Sequence, residues 1–461
     1  MPRLSFQAAV ALVLPVALSA CGAAPMPRPA ALARPAVSLQ ARHVVPLAEP
    51  GALADGLSLD RPFTLVEAGE ALADLHLAVP GGDWELPGRE AAVLRVLLDG
   101  RYNQDVVLTL GEQAHVYQVA LGQLGAGPHV IRLERLAAYS PPALGQIQLL
   151  GGSVGVLPAG APGYDVLAHS PIVLTRANPH KTDAPVLMMV EQAPRPQGGV
   201  TTKYTTVLTN EDGGTATPAL FARWGRTTDI DWCYAIETDA VGAPVRETYQ
   251  GKLHLTKTFK GRYEDRHPIL RISTANNCYD DEGDGGLRLR LAPTFTLTPE
   301  QTAREAVLDA NPWTYGLMAR ELFREGKAKR EGAGDPRRYV FVEFKQTYRG
   351  RGLGVAVTLK GGTQAFVSHH GDSGMTAARS GWCRVAVELP RAVALEDVVA
   401  MDLVGPGRGE SIVHGVRRVL TLDAAFMPVV WPVSWVGEAT VAADGDKVRF
   451  YQAPIAPPAT P

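Results

Sequence analysis

The densest group of chemically capable side chains lies in the segment 223–232, which holds two arginines, two tryptophans and two aspartates within ten residues. Successive side chains of a β-strand point to opposite faces, so a strand here would place Asp229 and Asp231 on the same face. If this face lines a cleft, repulsion between like charges raises the pKa of one carboxyl group and leaves an acid beside a base, the pair that glycosidic bond cleavage uses. The alternative is a half-buried strand whose acidic face is solvated and neutralised by arginines such as Arg226. The opposite face would carry Ile230, Trp232 and Tyr234.

A second polar segment, 262–268, combines two arginines, a tyrosine and a histidine. Polysaccharide lyases use a tyrosine or a histidine to remove the proton next to a carboxylate that an arginine neutralises, but the same residue types occur in any charged turn. His267 precedes a proline, which favours extended backbone and the start of a strand. If the two polar segments meet at one end of an antiparallel sheet, we expect His267 within hydrogen-bond reach of Asp231. Arg226 would then face an acidic sugar, and Tyr263 would serve as a proton donor.

The acidic stretch 280–284 places carboxylate side chains at alternate positions before a glycine. Calcium binds oxygen ligands in loops of this kind, so Asp280, Glu282 and Asp284 are candidate ligands. An EF-hand loop that began at Asp280 would need a glutamate at its twelfth position, where Leu291 stands. A solvated acidic turn is the alternative. Calcium is the one cofactor that the sequence suggests.

The N-terminus has the pattern of a secretory signal, with a positive charge at Arg3, an apolar run over 8–17, and then Leu-Ser-Ala-Cys at 18–21. The apolar run is shorter than the roughly 20 residues that cross a bilayer. Residues 18–21 resemble the lipobox of bacterial lipoproteins, in which the cysteine receives a diacylglyceryl group. The resemblance implies an envelope protein held to a membrane by lipid on Cys21, and Gly22 is similar to the pattern of outer-membrane lipoproteins in Gram-negative hosts. The alternative is an ordinary cysteine after a plain secretory signal.

Three further cysteines remain for an envelope compartment in which disulfides form. If Cys21 carries lipid, at least one of Cys233, Cys278 and Cys383 stays unpaired. Cys233 and Cys278 are closer in sequence and share a predicted domain, so we predict a disulfide between them. The sequence contains no CxxC pair or Cys/His cluster that would predict zinc.

Composition and charge limit the partners. The 461 residues, with 47 glycines and 36 prolines, predict two or three domains that are rich in turns. The formal net charge of −2 gives no long-range attraction to nucleic acid or to anionic lipid. We therefore expect attachment to the membrane through the lipid, and no nucleic-acid partner.

Short β-like segments separated by turns recur between residues 57 and 154, which is typical of a β-sandwich. The run LRVLLDG (94–100), followed by LGAGPHVIRL (124–133), resembles jelly-roll carbohydrate-binding modules, which pair an Asp-Gly hairpin with a late strand that glycine introduces. The resemblance implies a jelly-roll fold and sugar binding. An Asp-Gly turn is equally expected in a sandwich that binds nothing.

We predict a mostly β chain of two or three β-sandwich, jelly-roll-like modules with a short helical insertion near 298–332. Pro299 and Pro312 mark the expected helix starts. The predicted order is a lipoprotein signal peptide with the lipidated cysteine (1–21), an Ala/Pro-rich tether (22–55), a β-sandwich module (56–155), a second β-rich domain (156–300), a helical segment (301–337) and a third β-rich domain (338–455) that can pack with the second.

Three functions follow from these features. The leading hypothesis is a lipoprotein of the cell envelope that binds glycan through its β-sandwich modules. The second is a polysaccharide-degrading enzyme, a lyase or a hydrolase, with its site in the region 223–284. The third is a structural envelope protein without a small ligand.

Overall fold

The computed structural model describes residues 39, 41–47, 49–211 and 213–454. Cys21, the signal peptide and most of the predicted tether therefore lie outside the described residues. The mostly β fold class is confirmed, with 49% of the residues in strands and 12% in helices. Among the residues that the structure describes, no helix combines the length and the apolar character needed to cross a bilayer.

The first β-sandwich packs two antiparallel sheets face to face around an aliphatic core. One sheet has the order β1-β9-β4-β7, with β2 also paired to β9, and the other has the order β3-β8-β5-β6. The hairpin between β5 and β6 turns at Asp99 (φ 50°) and Gly100 (φ 78°), the left-handed pair that a two-residue hairpin loop requires. The strands are β1 (Arg42–Pro46), β2 (Gly51–Ala54), β3 (Ser58–Leu65), β4 (Gly69–Ala78), β5 (Ala92–Leu98), β6 (Arg101–Leu108), β7 (His115–Leu124), β8 (Gly127–Arg135) and β9 (Gln146–Leu157).

The second β-rich region also has two sheets, which enclose a core rich in tyrosine. The large sheet has the order β15-β14-β13-β12-β11-β20, and the small sheet has the order β16-β17-β10-β19 with β18 paired to β17. The elements are α1 (Tyr164–Ala168), β10 (Ile172–Leu174), β11 (Pro185–Pro194), β12 (Val200–Leu208), α2 (Thr217–Trp224), β13 (Asp229–Thr238), β14 (Pro244–Gly251), β15 (Leu255–Thr258), β16 (Tyr263–Glu264), β17 (His267–Ile272), β18 (Tyr279–Asp280), β19 (Arg288–Leu289) and β20 (Pro293–Thr296).

A bulge in β13 changes the predicted alternation of its side chains. The register with β12 shifts between Trp232 and Tyr234, so Cys233 has no partner of its own in the ladder. As a result Cys233 and Tyr234 both belong to the core between the two sheets, whereas Ile230 packs on the other face of the large sheet. Strict alternation had placed Tyr234 on the side opposite to Cys233.

Three helices pack between the large sheet and the first sheet of the third module. They are α3 (Ala306–Ala310), α4 (Trp313–Arg324) and α5 (Lys327–Glu331). Pro312 precedes α4 as predicted, and α5 ends at the left-handed Gly332 (φ 71°). The predicted helix start at Pro299 is wrong, because α3 begins only at Ala306.

The third module is again a β-sandwich. Its first sheet has the order β24-β21-β26-β27, with β28 also paired to β26, and its second has the order β23-β22-β25-β29. The strands are β21 (Tyr339–Arg349), β22 (Gly354–Leu359), β23 (Ala365–Val367), β24 (Gly381–Glu388), β25 (Val398–Val404), β26 (Glu410–Leu422), β27 (Pro428–Trp431), β28 (Trp435–Val441) and β29 (Lys447–Gln452).

Candidate active site

An open pocket of about 410 Å³ lies where β12 ends and β13 begins. The two strands are antiparallel neighbours. The residues that follow β12 and those that begin β13 therefore lie at the same end of the large sheet. The residues that line the pocket are mostly polar or charged. They are Glu211, Thr215, Trp224, Arg226, Asp229, Asp231, His254, Asn276 and Arg304.

Three carboxyl groups share this pocket. Asp229 and Asp231 are the first and third residues of β13, opposite Leu208 and Thr206 of β12. Glu211 follows β12 by three residues. Strand geometry thus directs both aspartates to the pocket side, as the alternation of β13 predicts before its bulge.

The carboxyl groups are held away from water. Asp229 is 4% exposed and Glu211 is 8% exposed. Burial and the charge of Asp231 raise the pKa of Asp229 to about 7. Burial and the charge of Asp229 likewise raise the pKa of Glu211 to about 7. Burial raises the pKa of Asp231 to about 6. At neutral pH the three groups therefore share protons instead of being fully ionised.

Hydrogen bonds fix the orientation of the carboxyl groups. Asn277 Nδ2 donates to Asp229 Oδ2 at 2.9 Å, and the backbone N–H of Thr215 donates to Glu211 Oε1 at 3.1 Å. The amide of Asn276 donates to the same Oε1 at 2.9 Å and accepts from His254 Nε2 at 2.8 Å.

Gly214 allows the loop after β12 to approach Asn276 closely. A Cβ on Gly214, whose φ is +97°, would lie only 2.5 Å from the side-chain amide of Asn276. The loop after β12 therefore needs glycine at this position both for its left-handed backbone and for the close contact.

The positive charge of Arg226 acts on Glu211, Asp229 and Asp231 from a distance, because its hydrogen bond goes to a different carboxylate, Glu305. Its Nε donates to Glu305 Oε1 at 3.2 Å, and its side chain is 4% exposed. The charge of Arg226 nevertheless lowers the pKa of Glu211, Asp229 and Asp231, which limits the rise that burial causes. The pocket therefore keeps its carboxyl groups near the midpoint of their titration at physiological pH.

An aromatic side chain completes the pocket. Trp224 is the last residue of α2, and Gly225 (φ 61°) ends the helix in the left-handed conformation. The guanidinium of Arg223 lies 4.1 Å from the centre of the Trp224 ring and holds it by a cation–π contact. Carboxyl groups that can act as acid and base thus lie beside an indole ring in this pocket.

No protein-family model matches the chain, and no curated protein matches it. Solved structures resemble parts of it at low identity. A ruminal GH26 endo-β-1,4-mannanase is 9% identical over 24% of this chain and 20% of its own, with a TM-score of 0.19. The CBM35 of Cellvibrio japonicus Abf62 is 13% identical over 25% of this chain and 94% of its own, with a TM-score of 0.20. The CBM36-1 domain of a xylanase from the hindgut metagenome of Trinervitermes trinervoides is 13% identical over 25% of this chain and 99% of its own, with a TM-score of 0.19.

The structure brings three of the five predicted catalytic residues together, since Arg226, Asp229 and Asp231 all line the pocket. Tyr263 instead donates to Glu247 Oε2 at 2.6 Å on the exposed β16 hairpin. His267 is 1% exposed, and its ring nitrogens bond to the Ser170 carbonyl at 2.8 Å and to Glu70 Oε2 at 3.2 Å. Neither ring nitrogen of His267 bonds to Asp231, because β17 belongs to the small sheet and β13 to the large one.

The acidic turn does not form the expected calcium site. Asp284 pairs with Arg262 at 3.0 Å, and Asp280 lies 3.9 Å from a guanidinium nitrogen of Arg271. The described residues contain no group of three or more His, Cys, Asp or Glu side chains placed to hold a metal ion. Arg262 and Arg271 thus lie beside Asp284 and Asp280, and Glu282 does not complete a group of three carboxylates with them among the described residues.

The predicted disulfide is not formed, because Cys233 and Cys278 are both free and buried. Cys233 Sγ faces the Tyr204 carbonyl at 3.4 Å. Cys278 Sγ lies 4.0 Å from His254 Nδ1. The two thiols have different surroundings, and the Cys233 side chain belongs to the core between the two sheets.

Sequence reasoning missed Glu211 and His254. Glu211 stands in the polar turn that follows β12, and its relevance depends on β12 being the neighbour of β13. His254 lies in the short turn after β14, which pairs with the other edge of β13. A search for polar turns next to the aspartate-bearing strand would have found both.

Proposed function

We propose that this chain hydrolyses a glycosidic bond in the pocket formed by Glu211, Asp229 and Asp231. The observation that carries the proposal is the position of three carboxyl groups in one open pocket, where burial raises the pKa of each. A protonated carboxyl group can donate its proton to the glycosidic oxygen while an ionised neighbour activates water or attacks the sugar. The indole of Trp224 would hold the sugar ring.

Hydrolysis suits the pocket better than elimination does. The bases that the sequence suggests for a lyase, Tyr263 and His267, have hydrogen-bond partners outside the pocket, and His254, which lines the pocket, lies at its exposed rim. Two carboxyl groups with distinct protonation states are the machinery of hydrolases. From the likeness of residues 18–21 to a lipobox, we further propose that lipid on Cys21 places this activity at the cell envelope.

The direct test is release of reducing ends from a panel of neutral and acidic polysaccharides. We expect the wild-type chain to cleave at least one, and Asp229→Asn and Glu211→Gln to lose about 100-fold or more of the rate. The matched control is Asp280→Asn, which removes a carboxylate outside the pocket. Equal rates for Asp229→Asn and Asp280→Asn would rule out the proposal, and a product with the ultraviolet absorbance of an unsaturated sugar would indicate a lyase instead.

A second candidate function is glycan binding without cleavage, which a different cleft favours. This cleft, of about 830 Å³, lies between the first sandwich and a wall formed by β11, the segment 289–294 and the start of α4. His115 contacts the rings of Tyr117 and Trp313 edge-on, at 4.9 and 5.1 Å between ring centres. Burial lowers the pKa of His115 to about 4, so the aromatic lining is uncharged at neutral pH. Retention of the Asp229→Asn variant in polysaccharide-containing gels, and loss of retention in Tyr117→Ala, would support binding there.

A further inference from the structure

Arg304 brings an exposed positive charge to the candidate active-site pocket. It lines the pocket together with Asp229 and Asp231, and it is exposed to solvent. Nη1 of Arg304 donates to the Ile230 carbonyl at 3.0 Å. Ile230 stands between the two aspartates in β13, so this hydrogen bond holds the guanidinium beside the start of the aspartate-bearing strand.

The guanidinium of Arg304 has no carboxylate partner among the residues that the structure describes, and its hydrogen bond goes to a backbone carbonyl. Glu305, its neighbour in the sequence, pairs with Arg226 instead. Arg384, which is fully buried, pairs with two carboxylates. The guanidinium of Arg304 is thus available to an anion from outside the chain.

Two further arginines without ion pairs in the described part of the chain lie near Arg304. Nη1 of Arg379 donates to the Arg223 carbonyl at 2.9 Å, and the Arg223 guanidinium contacts the ring of Trp224, which lines the pocket. Partial loss of hydration and the charge of Arg379 lower the pKa of both Arg223 and Arg304. An anion bound beside these guanidinium groups would relieve their mutual repulsion.

The carboxyl groups in the same pocket leave room for an anionic ligand. Burial raises the pKa of Glu211 and of Asp229 to about 7, so each carries only part of its negative charge at neutral pH. An arginine side chain stays charged throughout this range. The side of the pocket that Arg304 forms is therefore positive, whereas the opposing carboxyl groups are only partly ionised.

A carboxylate on a sugar ring matches this positive side. The planar guanidinium presents its N–H groups as a fork, and a carboxylate accepts two of them at once. We propose that the pocket binds a glycan that contains uronic acid, and that Arg304 pairs with the carboxylate of this sugar. The inference rests on the proposed function only for the choice of a glycan as the ligand.

The test measures binding by calorimetry in the Glu211→Gln background, so that turnover does not consume the ligand. The probes are oligosaccharides of pectin, alginate and glucuronoxylan, each compared with its carboxyl-reduced counterpart, which keeps the sugar ring and loses the charge. Sulfated galactan oligosaccharides and their desulfated counterparts form a further pair. Arg304→Gln removes the positive charge, and Arg304→Lys keeps the charge without the planar fork. The matched control is Arg408→Gln, in the exposed loop between β25 and β26.

We expect at least one uronic acid probe to bind about tenfold or more tightly than its reduced counterpart, the gain expected from a charge-assisted pair. Arg304→Gln should abolish this preference, Arg304→Lys should keep part of it, and Arg408→Gln should leave it unchanged. Thermal unfolding shows whether each variant is folded. Added salt should weaken the preference in the chain that keeps Arg304, which checks the charge without a substitution at this position.

Equal affinities within every uronic acid pair, no binding of any uronic acid probe, a preference for sulfate esters alone, or a preference that survives in a folded Arg304→Gln variant would overturn the proposal. These outcomes are separable from those of the proposed function. Cleavage of neutral polysaccharides with no preference for uronic acid would leave the hydrolase standing and remove the acidic ligand. A preference that depends on Arg304, without cleavage of any polysaccharide, would do the reverse.

Discussion

Oδ2 of Asp231 lies 3.6 Å from Nδ1 of His254, on the side of the pocket that is open to solvent. The His254 side chain is 50% exposed, whereas that of Asp231 is 16% exposed. The histidine therefore forms the rim of the pocket, and the aspartates form its floor. Its positive charge, when present, also lowers the pKa of Asp229.

Replacing His254 with alanine tests this relationship. We expect the pKa values of the carboxyl cluster to move upward, because the variant loses a nearby positive charge. An exposed pair contributes at most about 1 kcal/mol, so the shift should be less than about one pH unit. The measurement is the pH dependence of glycan cleavage, with the exposed His43→Ala as control. A profile that does not move would mean that His254 is electrostatically uncoupled from the aspartates.

The rate of cleavage should show a maximum between about pH 6 and pH 7, the pKa range of the three carboxyl groups. Below this range the cluster is fully protonated and lacks a base. Above it the cluster is fully ionised and lacks an acid. The acidic and basic sides of the pH–rate profile both report the coupled titration of the whole cluster. Substitution of one carboxyl group should therefore shift both sides. A rate that keeps rising to pH 9 would contradict the assignment.

Asp229→Asn should stabilise the fold at high pH. A raised pKa means that the folded chain binds more protons than the unfolded chain between about pH 4 and pH 7, so wild-type stability falls as pH rises through this window. Asparagine cannot ionise and avoids that loss. We expect the free energy of unfolding of the variant, relative to wild type, to be larger at pH 8 than at pH 4 by about 4 kcal/mol, since the pKa is raised by about three units. Urea unfolding at the two pH values measures the difference.

The control for this experiment is Asp280→Asn, which should change the free energy of unfolding by less than about 0.5 kcal/mol at either pH. A variant at Asp229 that is equally destabilised at both pH values would show that the carboxyl group contributes through its hydrogen bond to Asn277 and not through its charge.

Membrane attachment is a prediction from the sequence alone. Cys21→Ser removes the thiol that would carry the lipid, so the mature chain should leave the membrane fraction while its folded modules are unchanged. Fractionation after a salt wash, with circular dichroism of the released protein, checks both parts. A Cys21→Ser variant that still sediments with membranes would contradict the lipobox interpretation.

The sequence predicted those features of the fold that depend on the alternation of neighbouring residues or on the residue types of a turn. The alternation around Asp229 and the Asp99-Gly100 turn depend only on adjacent residues, and both have the predicted form. The partner of Asp231 was not predictable in this way, because His254 and His267 are equally plausible along the chain. Only the assignment of β14 and β17 to different sheets separates them. The bulge at Cys233 is likewise set by pairing with β12 and not by local sequence.

His267 is buried away from the pocket, and its ring contacts the carboxyl group of Glu70. The Ser170 carbonyl accepts from Nδ1, so the bond from Nε2 to the Glu70 carboxyl requires one further proton that the two side chains share. Both side chains are 1% exposed, and they join β4 of the first sandwich to β17 of the second region.

Glu70→Ala should therefore leave His267 buried without its partner and should cost about 3–5 kcal/mol. Glu70→Leu combined with His267→Leu should cost much less, because no polar group is then left unpaired. Thermal unfolding of the three chains makes the comparison, and a double variant as unstable as Glu70→Ala would show that packing, not the shared proton, holds this interface.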